Sequence, residues 1–314
     1  MAKIAVDLKT ALEQRAITGS PGKASVRLLA EGDAWKVEDV VCTSGPQDRP
    51  FEEFHTGYTI AIVGAGTFQY RASLAQKRGH ELLTPGSLVL GNADQYFECG
   101  HDHSTGDRCI SFWYAPSYFE RLAADAGIHR FTSGFPALRL PPLRALSPLI
   151  ARCCSSLTGS GDDHHGTSWE ELSVKLAART IQLASGLPEE STSAPPATIA
   201  KVTRAVRIIE ERPNEELTLA SLAREARLSE YHFLRTFERL TGVTPHRYIL
   251  RSRLREAAVR LASEPERVLD IAFDCGFGDV SNFNRAFRAE FLVSPRGFRK
   301  HTLEALTALG NTNG

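Results

Sequence analysis

Residues 199–303 carry much the same text twice, at an interval of about 50 residues. Arg235-Thr236-Phe237 returns as Arg285-Ala286-Phe287, and Val243-Thr244-Pro245 returns as Val293-Ser294-Pro295. Ser229 and Asp279 stand at equivalent points, and both side chains accept hydrogen bonds from the free N–H groups that open a helix. Leu222-Ala223 and Ile271-Ala272 precede them in the same way. Two copies are too few for a solenoid. The pattern calls for one small helical unit used twice: a short helix, a tight turn, then a second helix opened by a cap.

The spacing of apolar residues divides each unit into an inner and an outer face. In the first copy Leu219, Leu222, Ala223 and Ala226 point inward, Arg227-Leu228 form the turn, and a helix runs from the Ser229 cap to Gly242. Phe233, Phe237 and Leu240 share one face of that helix, while Tyr231, Leu234, Arg235 and Glu238 share another. In the second copy Phe283 and Phe287 are core, and Ser281, Asn282, Asn284, Arg285 and Arg288 lie outward. Hydroxyl, amide and guanidinium groups on one face suit base edges and phosphates. Between the copies, Thr244 and Pro245 start a helix that runs to about Ser263. At ~1.5 Å per residue such a rod is roughly 28 Å long, a fitting separation for helices meeting major grooves ~34 Å apart.

The text LTLASLAREARLSEYHFLRTFERLTGVTPHRYILRSRLREA, followed by VLDIAFDCGFGDVSNFNRAFRAEFLVSPRGFRK, resembles the AraC/XylS family of transcription regulators over residues ~199–302. The resemblance implies seven helices, the third and sixth entering the major groove. It implies base contacts from Tyr231, Leu234 and Arg235 in the first unit, and from Val280, Ser281, Asn282 and Arg285 in the second. It also implies RNA polymerase as a partner. Arg288 is expected on phosphate. The chain departs from the family in three places: Leu234 is apolar where a hydrogen-bonding side chain is common, and Arg227 and Leu292 stand where the turn or helix end often has glycine.

Charge follows the same division. Residues 199–303 hold 19 Lys and Arg against 14 Asp and Glu, a balance of +5, whereas residues 1–198 hold 18 against 22, a balance of −4. A basic C-terminal part beside an acidic N-terminal part fits a polyanion partner for the former. Residues ~24–115 read as β, in short runs such as YTIAIV, TFQYRA and SLVLG split by Gly and Pro. This region resembles more loosely the cupin-like sensor domain of the same family, through LLTPGSLVLGNADQYFECG with Pro85-Gly86 as the turn. The expected fold is therefore α+β and multidomain. A cupin-like β-barrel for a small effector occupies 1–115, and a helical segment occupies 116–186. There the 141–186 helices either join two copies into a homodimer or pack on the barrel. A Pro-rich linker covers 187–198, the all-α domain of two helix-turn-helix units covers 199–303, and a tail covers 304–314. No run reaches the roughly 18 apolar residues of a membrane helix, and the N-terminus lacks a secretory pattern. Six cysteines in 314 residues make no disulfide framework, so a reduced, cytoplasmic setting is expected.

One cluster in the β region is rich in metal-binding chemistry: Cys99-Gly100-His101-Asp102-His103-Ser104-Thr105-Gly106-Asp107-Arg108-Cys109. Thiolates and imidazoles are the donors of zinc or another soft transition metal, and Cys99, His101, His103 and Cys109 are the candidate ligands. Cys99 and Cys109 would face each other across a hairpin, with Cys42 and His55 able to join from neighbouring strands. A metal or redox sensor, a structural ion and a metal-free polar loop are all open at this point. The rival class, a cupin-type metalloenzyme with a helical appendage, fits poorly. His101, His103 and Asp107 follow the Pro-Gly turn where the cupin metal motif precedes it, and Asp stands in place of Glu. No phosphate loop, nucleophile elbow or HExxH occurs elsewhere, so a non-enzyme is expected.

Overall fold

The computed structural model describes residues 2–74, 77–128, 134–158, 168–185 and 194–300. The chain opens with a helix, α1 (Ala2–Thr18), that the sequence reading did not foresee. Nine strands follow: β1 (Ala24–Gly32), β2 (Trp35–Cys42), β3 (Phe51–His55), β4 (Tyr58–Gly66), β5 (Phe68–Leu74), β6 (Lys77–Leu83), β7 (Leu88–Gly91), β8 (Gln95–Gly100) and β9 (Asp107–Tyr114). Then come α2 (Pro116–Asp125), the short β10 (Arg139–Leu140), α3 (Ser147–Thr158) and α4 (Trp169–Ala184).

The strands form no closed barrel among the described residues, which corrects the cupin-like expectation. They divide into a six-stranded sheet in the order β1-β2-β9-β4-β7-β10 and a four-stranded sheet in the order β3-β8-β5-β6. The physical reason lies in the two-sided burial of the larger sheet. Ala61, Val63, Val89 and Cys109 pack between the sheets against Phe68, Tyr70 and Leu83. Their neighbours Ile60, Ile62, Leu88, Leu90, Ile110 and Phe112 face the opposite way, into a core shared with the helices. Alternate residues of one strand thus fill two cores, which is why β4 reads as an unbroken apolar run. Pro85-Gly86 carries the chain from the smaller sheet to the larger. Gly86 adopts φ +87°, and Ser87 N–H donates to Thr84 O at 2.9 Å, as a turn with glycine at its third position requires.

Helix α1 lies on the larger sheet through Ile4 and Leu8. Arg108 of β9 ties it there, donating to Asp7 at 2.7 Å and bidentately to Asp39 at 2.9 Å. Burial pushes the Asp39 carboxyl up, but the bonds and charge of Arg108, then of Arg27, more than offset this and hold it below its usual range.

The C-terminal region is helical throughout: α5 (Pro196–Glu211), α6 (Leu219–Glu225), α7 (Glu230–Thr241), α8 (Pro245–Ser263), α9 (Val268–Asp274) and α10 (Val280–Phe291). Residues 295–300 begin a seventh helix. Helix α5 starts inside the stretch read as linker, because Pro195 and Pro196 suit a helix N-terminus as well as a connection. Residues 187–193 and the 304–314 tail lie outside the described residues. The two halves of the chain share packing. Leu82 of β6 joins the core around Phe233 and Phe237, Ala151 of α3 joins the core around Phe283 and Phe287, and Val259 of α8 joins the core of the larger sheet.

Candidate nucleic-acid interface

Each unit is built as its sequence pattern requires. In the first, Thr218 and Ser221 cap α6 reciprocally, and Ser229 accepts from His232 N–H at 3.4 Å to open α7. In the second, Asp279 accepts from Ser281 N–H at 3.1 Å and from Asn282 N–H at 2.9 Å to open α10. Those two backbone bonds, with the Arg285 charge a smaller contributor, hold the Asp279 carboxyl below its usual range. Both departures from glycine keep the glycine-like backbone. Arg227 has φ +52° in the first turn, where Gly276 has +81° in the second, and Leu292 has φ +65° after α10, where Gly242 has +78° after α7.

The inner faces are closed. Phe233, Phe237, Phe283 and Phe287 are fully buried, and the two rings of each helix sit 5.4 and 5.5 Å apart. The outer faces are open. Tyr231 is 63% exposed, and Arg235 lies over its ring at 5.7 Å and donates to its hydroxyl at 3.2 Å. Leu234 is half-buried beside them. On α10, Ser281, Asn282, Asn284, Arg285 and Arg288 are exposed, and Val280 is half-buried. Arg285 donates to Asn282 Oδ1 at 3.2 Å, holding the two side chains together. A groove beside α10 adds cations that the sequence reading did not select: Arg144 and Arg296 line it together with Arg285 and Arg288. Arg296 was legible in the closing SPRGFRK text, whereas Arg144 comes from the other half of the chain and only the fold brings it here.

The cysteine–histidine cluster is arranged differently from the hairpin expected. β8 belongs to the smaller sheet and β9 to the larger, so Cys99 and Cys109 lie on strands of different sheets. The three groups that converge are Cys42, His101 and Asp107, all buried, with ligand atoms within 4.8 Å of one another. Cys42 and Asp107 are directly paired across β2 and β9, which puts their side chains on one face. His101 Nε2 is 2.8 Å from Asp107 Oδ1, and the Cys109 thiol donates to Asp107 Oδ2 at 3.3 Å. Burial first, and the Asp107 carboxylate second, push the thiols of Cys42, Cys99 and Cys109 up. Of the ligands expected from the sequence, Cys99, His103 and Cys109 are not within the same reach of that trio among the described residues. His55 is elsewhere, stacked on Phe97 at 4.0 Å and hydrogen-bonded to Tyr70 at 2.8 Å, and burial lowers its pKa to about 4.

Comparison with known proteins agrees with the paired units. The helix-turn-helix domain family model matches residues 222–301. The HTH-type transcriptional activator RhaS of Salmonella heidelberg (strain SL476) is 37% identical over 269 residues, spanning 81% of this chain and 89% of the relative. RhaS of Klebsiella pneumoniae (strain 342) is 27% identical over 266 residues, with the same coverage of 81% and 89%. Among solved structures, a transcriptional regulator with an AraC-type DNA-binding domain from Chromobacterium violaceum is 28% identical. It covers 32% of this chain and 91% of its own, with a TM-score of 0.31.

Proposed function

The chain belongs to the AraC/XylS family of transcriptional regulators, and we propose that it activates transcription by seating α7 and α10 in successive major grooves of double-stranded DNA. Tyr231, Leu234 and Arg235 read one block of bases, and Val280, Ser281, Asn282 and Arg285 read a second. Leu234 offers a thymine methyl contact, whereas Arg235 and Arg285 suit guanine. Arg288 holds phosphate. The single observation that carries this assignment is the pair of equivalent helices whose aromatic faces are buried and whose polar faces are exposed.

The N-terminal strands form the sensor for a small effector, the stretch from residue 187 to the start of α5 at Pro196 the connection, and the helices from α5 onward the DNA-binding domain. The protein works as a homodimer with the 141–186 segment in contact. The apolar faces of α3 and α4 are already used within the chain, so such a contact uses their outer faces. Activation and contact with RNA polymerase are proposed because the relatives are named transcriptional activators. The role is binding, not catalysis. No helix among the described residues is long and apolar enough to cross a membrane, and all six cysteines are free thiols, which supports a reducing cytoplasmic setting.

Selection of bound duplexes from random sequence by the full chain tests the reading. The expected outcome is a site of two short blocks about one helical turn, roughly 10 bp, apart. Absence of any enriched sequence would overturn it.

A further inference from the structure

We propose that the chain holds a soft or borderline transition-metal ion, of the zinc class, inside the β-sandwich on Cys42, His101 and Asp107. The observation is convergence. Three donors of different chemistry, one sulfur, one imidazole nitrogen and one carboxylate oxygen, come from β2, from the loop after β8 and from β9, with their ligand atoms within 4.8 Å of one another. Bonds of ~2.0–2.3 Å around a tetrahedral ion put ligand atoms about 3.5 Å apart, so closure on an ion needs a contraction of only about an ångström. The Cys109 thiol, already on Asp107 at 3.3 Å, stands on the same face of β9 as Asp107 and is a candidate fourth donor.

Electrostatics points the same way. Asp107 is 5% exposed, and its side-chain partners are one imidazole and one thiol. The neighbouring guanidinium of Arg108 is turned to the other face, onto Asp39 and Asp7. Among the described residues its one ion-pair partner is the His101 imidazole, and a divalent ion held between the two would add positive charge beside the buried carboxylate. The loop between His101 and Asp107 is also pinned before any ion arrives. Gln69 accepts from Asp102 N–H at 3.1 Å, Ser104 donates to Thr67 O, and Ser44 O accepts from Gly106 N–H at 2.8 Å. On the β2 side, Arg15 of α1 donates to Thr43 O and pairs with Asp48 at 2.7 Å, fixing the turn just after Cys42. Sites held this way lose little freedom when they bind.

The test is titration of the reduced, chelator-treated full chain with Co²⁺ alone, followed by displacement with Zn²⁺. The expected result is one tight equivalent with a thiolate-to-cobalt charge-transfer band, which Zn²⁺ abolishes. Cys42→Ser, His101→Gln and Asp107→Asn should each weaken binding by about tenfold or more, and His246→Gln, an exposed histidine on α8, should leave it unchanged. Thermal unfolding of each metal-free variant reports whether it folds. Protection of Cys42 from alkylation by Zn²⁺ in the unaltered chain gives a readout that needs no variant. No uptake, a band without thiolate character, or equal affinity in all three variants would overturn the site and leave His101–Asp107 as a plain structural hydrogen bond.

Discussion

The two helix-turn-helix units solve one backbone problem with opposite residue choices. Each needs a left-handed residue in its tight turn and another after its second helix. The first unit uses Arg227 and then Gly242, whereas the second uses Gly276 and then Leu292. The aromatic pairs beneath them have nearly the same spacing, 5.4 and 5.5 Å. The outer faces differ: Arg235 leans on an aromatic ring, Arg285 on an amide. Packing and backbone geometry are what the repeat holds constant, and the surface chemistry is what it varies. Glycine appears where a Cβ has no room. At Gly242 it would fall 2.2 Å from Pro141 Cβ, and at Gly276 it would fall 2.8 Å from the Cα and carbonyl oxygen of Asn214.

The sharpest way to break the comparison is to add those methyl groups. Gly276→Ala combines a left-handed penalty of ~1–2 kcal/mol with overpacking of ~1–3 kcal/mol, so a loss of roughly 2–5 kcal/mol is expected in chemical denaturation. Gly242→Ala should cost a similar amount, but its clash is with the N-terminal half of the chain. Moving Pro141 away relieves it, so this variant should also make the loop around Pro141 more accessible to protease, while Gly276→Ala should not. Losses below about 1 kcal/mol in both would mean that position does not dictate glycine here.

Next in size are the reading residues. Arg285→Ala should cost ~1–3 kcal/mol of specific binding and relax preference at one base position. Arg235→Ala should do the same at a different position, by no more than Arg285→Ala, because Asn282 and Ser281 complete the second face while Leu234 leaves the first partly apolar. Arg288→Ala should instead weaken binding on every sequence and lower the salt slope by about one. Binding to selected and random duplexes at several salt concentrations separates these outcomes, and an equal loss on all sequences for Arg285→Ala would remove it from the reading set.

What was legible in the sequence follows from the range of the interactions involved. The second unit could be read from the text because caps, helix faces and turns act over three or four residues. The 19-residue α8 was likewise announced by Thr244 and Pro245 at its start. Two strands placed in different sheets could not be read that way. Cys99 and Cys109 are ten positions apart and look like a hairpin, yet the 101–106 loop carries the chain from one sheet to the other. The trio that does meet depends on Cys42 pairing with Asp107 across 65 positions, a register set by the whole sheet. Helix α1 was missed because its apolar residues are spread around the helix, with Ile4 and Leu8 buried but Val6 and Ile17 exposed, and make a weak stripe. Arg108 on Asp7 supplies what the stripe lacks.

Smaller effects come from the residues that occupy left-handed positions without being glycine. Leu292 is 73% exposed, so its side chain gains little from packing while its backbone bears the left-handed cost. Leu292→Gly should relieve ~1–2 kcal/mol of that strain against ~0.5–1 kcal/mol of added chain entropy, a net gain of up to about 1.5 kcal/mol. Arg227→Gly should gain by the same route. Thermal unfolding of the two variants reads both, and a loss in either would show that the side chain contributes more than its backbone costs.

Effects of similar size are expected at the caps, and there the units differ in kind. Ser229 does not titrate, so Ser229→Ala should cost about 1 kcal/mol at any pH where the chain is folded. Asp279 does titrate, and its carboxyl is held below its usual value of 3.8 by the N–H groups of Ser281 and Asn282. Because the folded state lowers this pKa, the contribution is complete above the unfolded value. It is lost as pH falls through the lower folded one. The difference in stability between the unaltered chain and Asp279→Asn should therefore be constant at neutral pH and shrink below about pH 4, while the Ser229→Ala difference stays flat over the same range. Parallel curves for the two caps would mean that Asp279 acts as a neutral hydrogen-bond acceptor, and the two units would then be alike at their helix starts as they are in their cores.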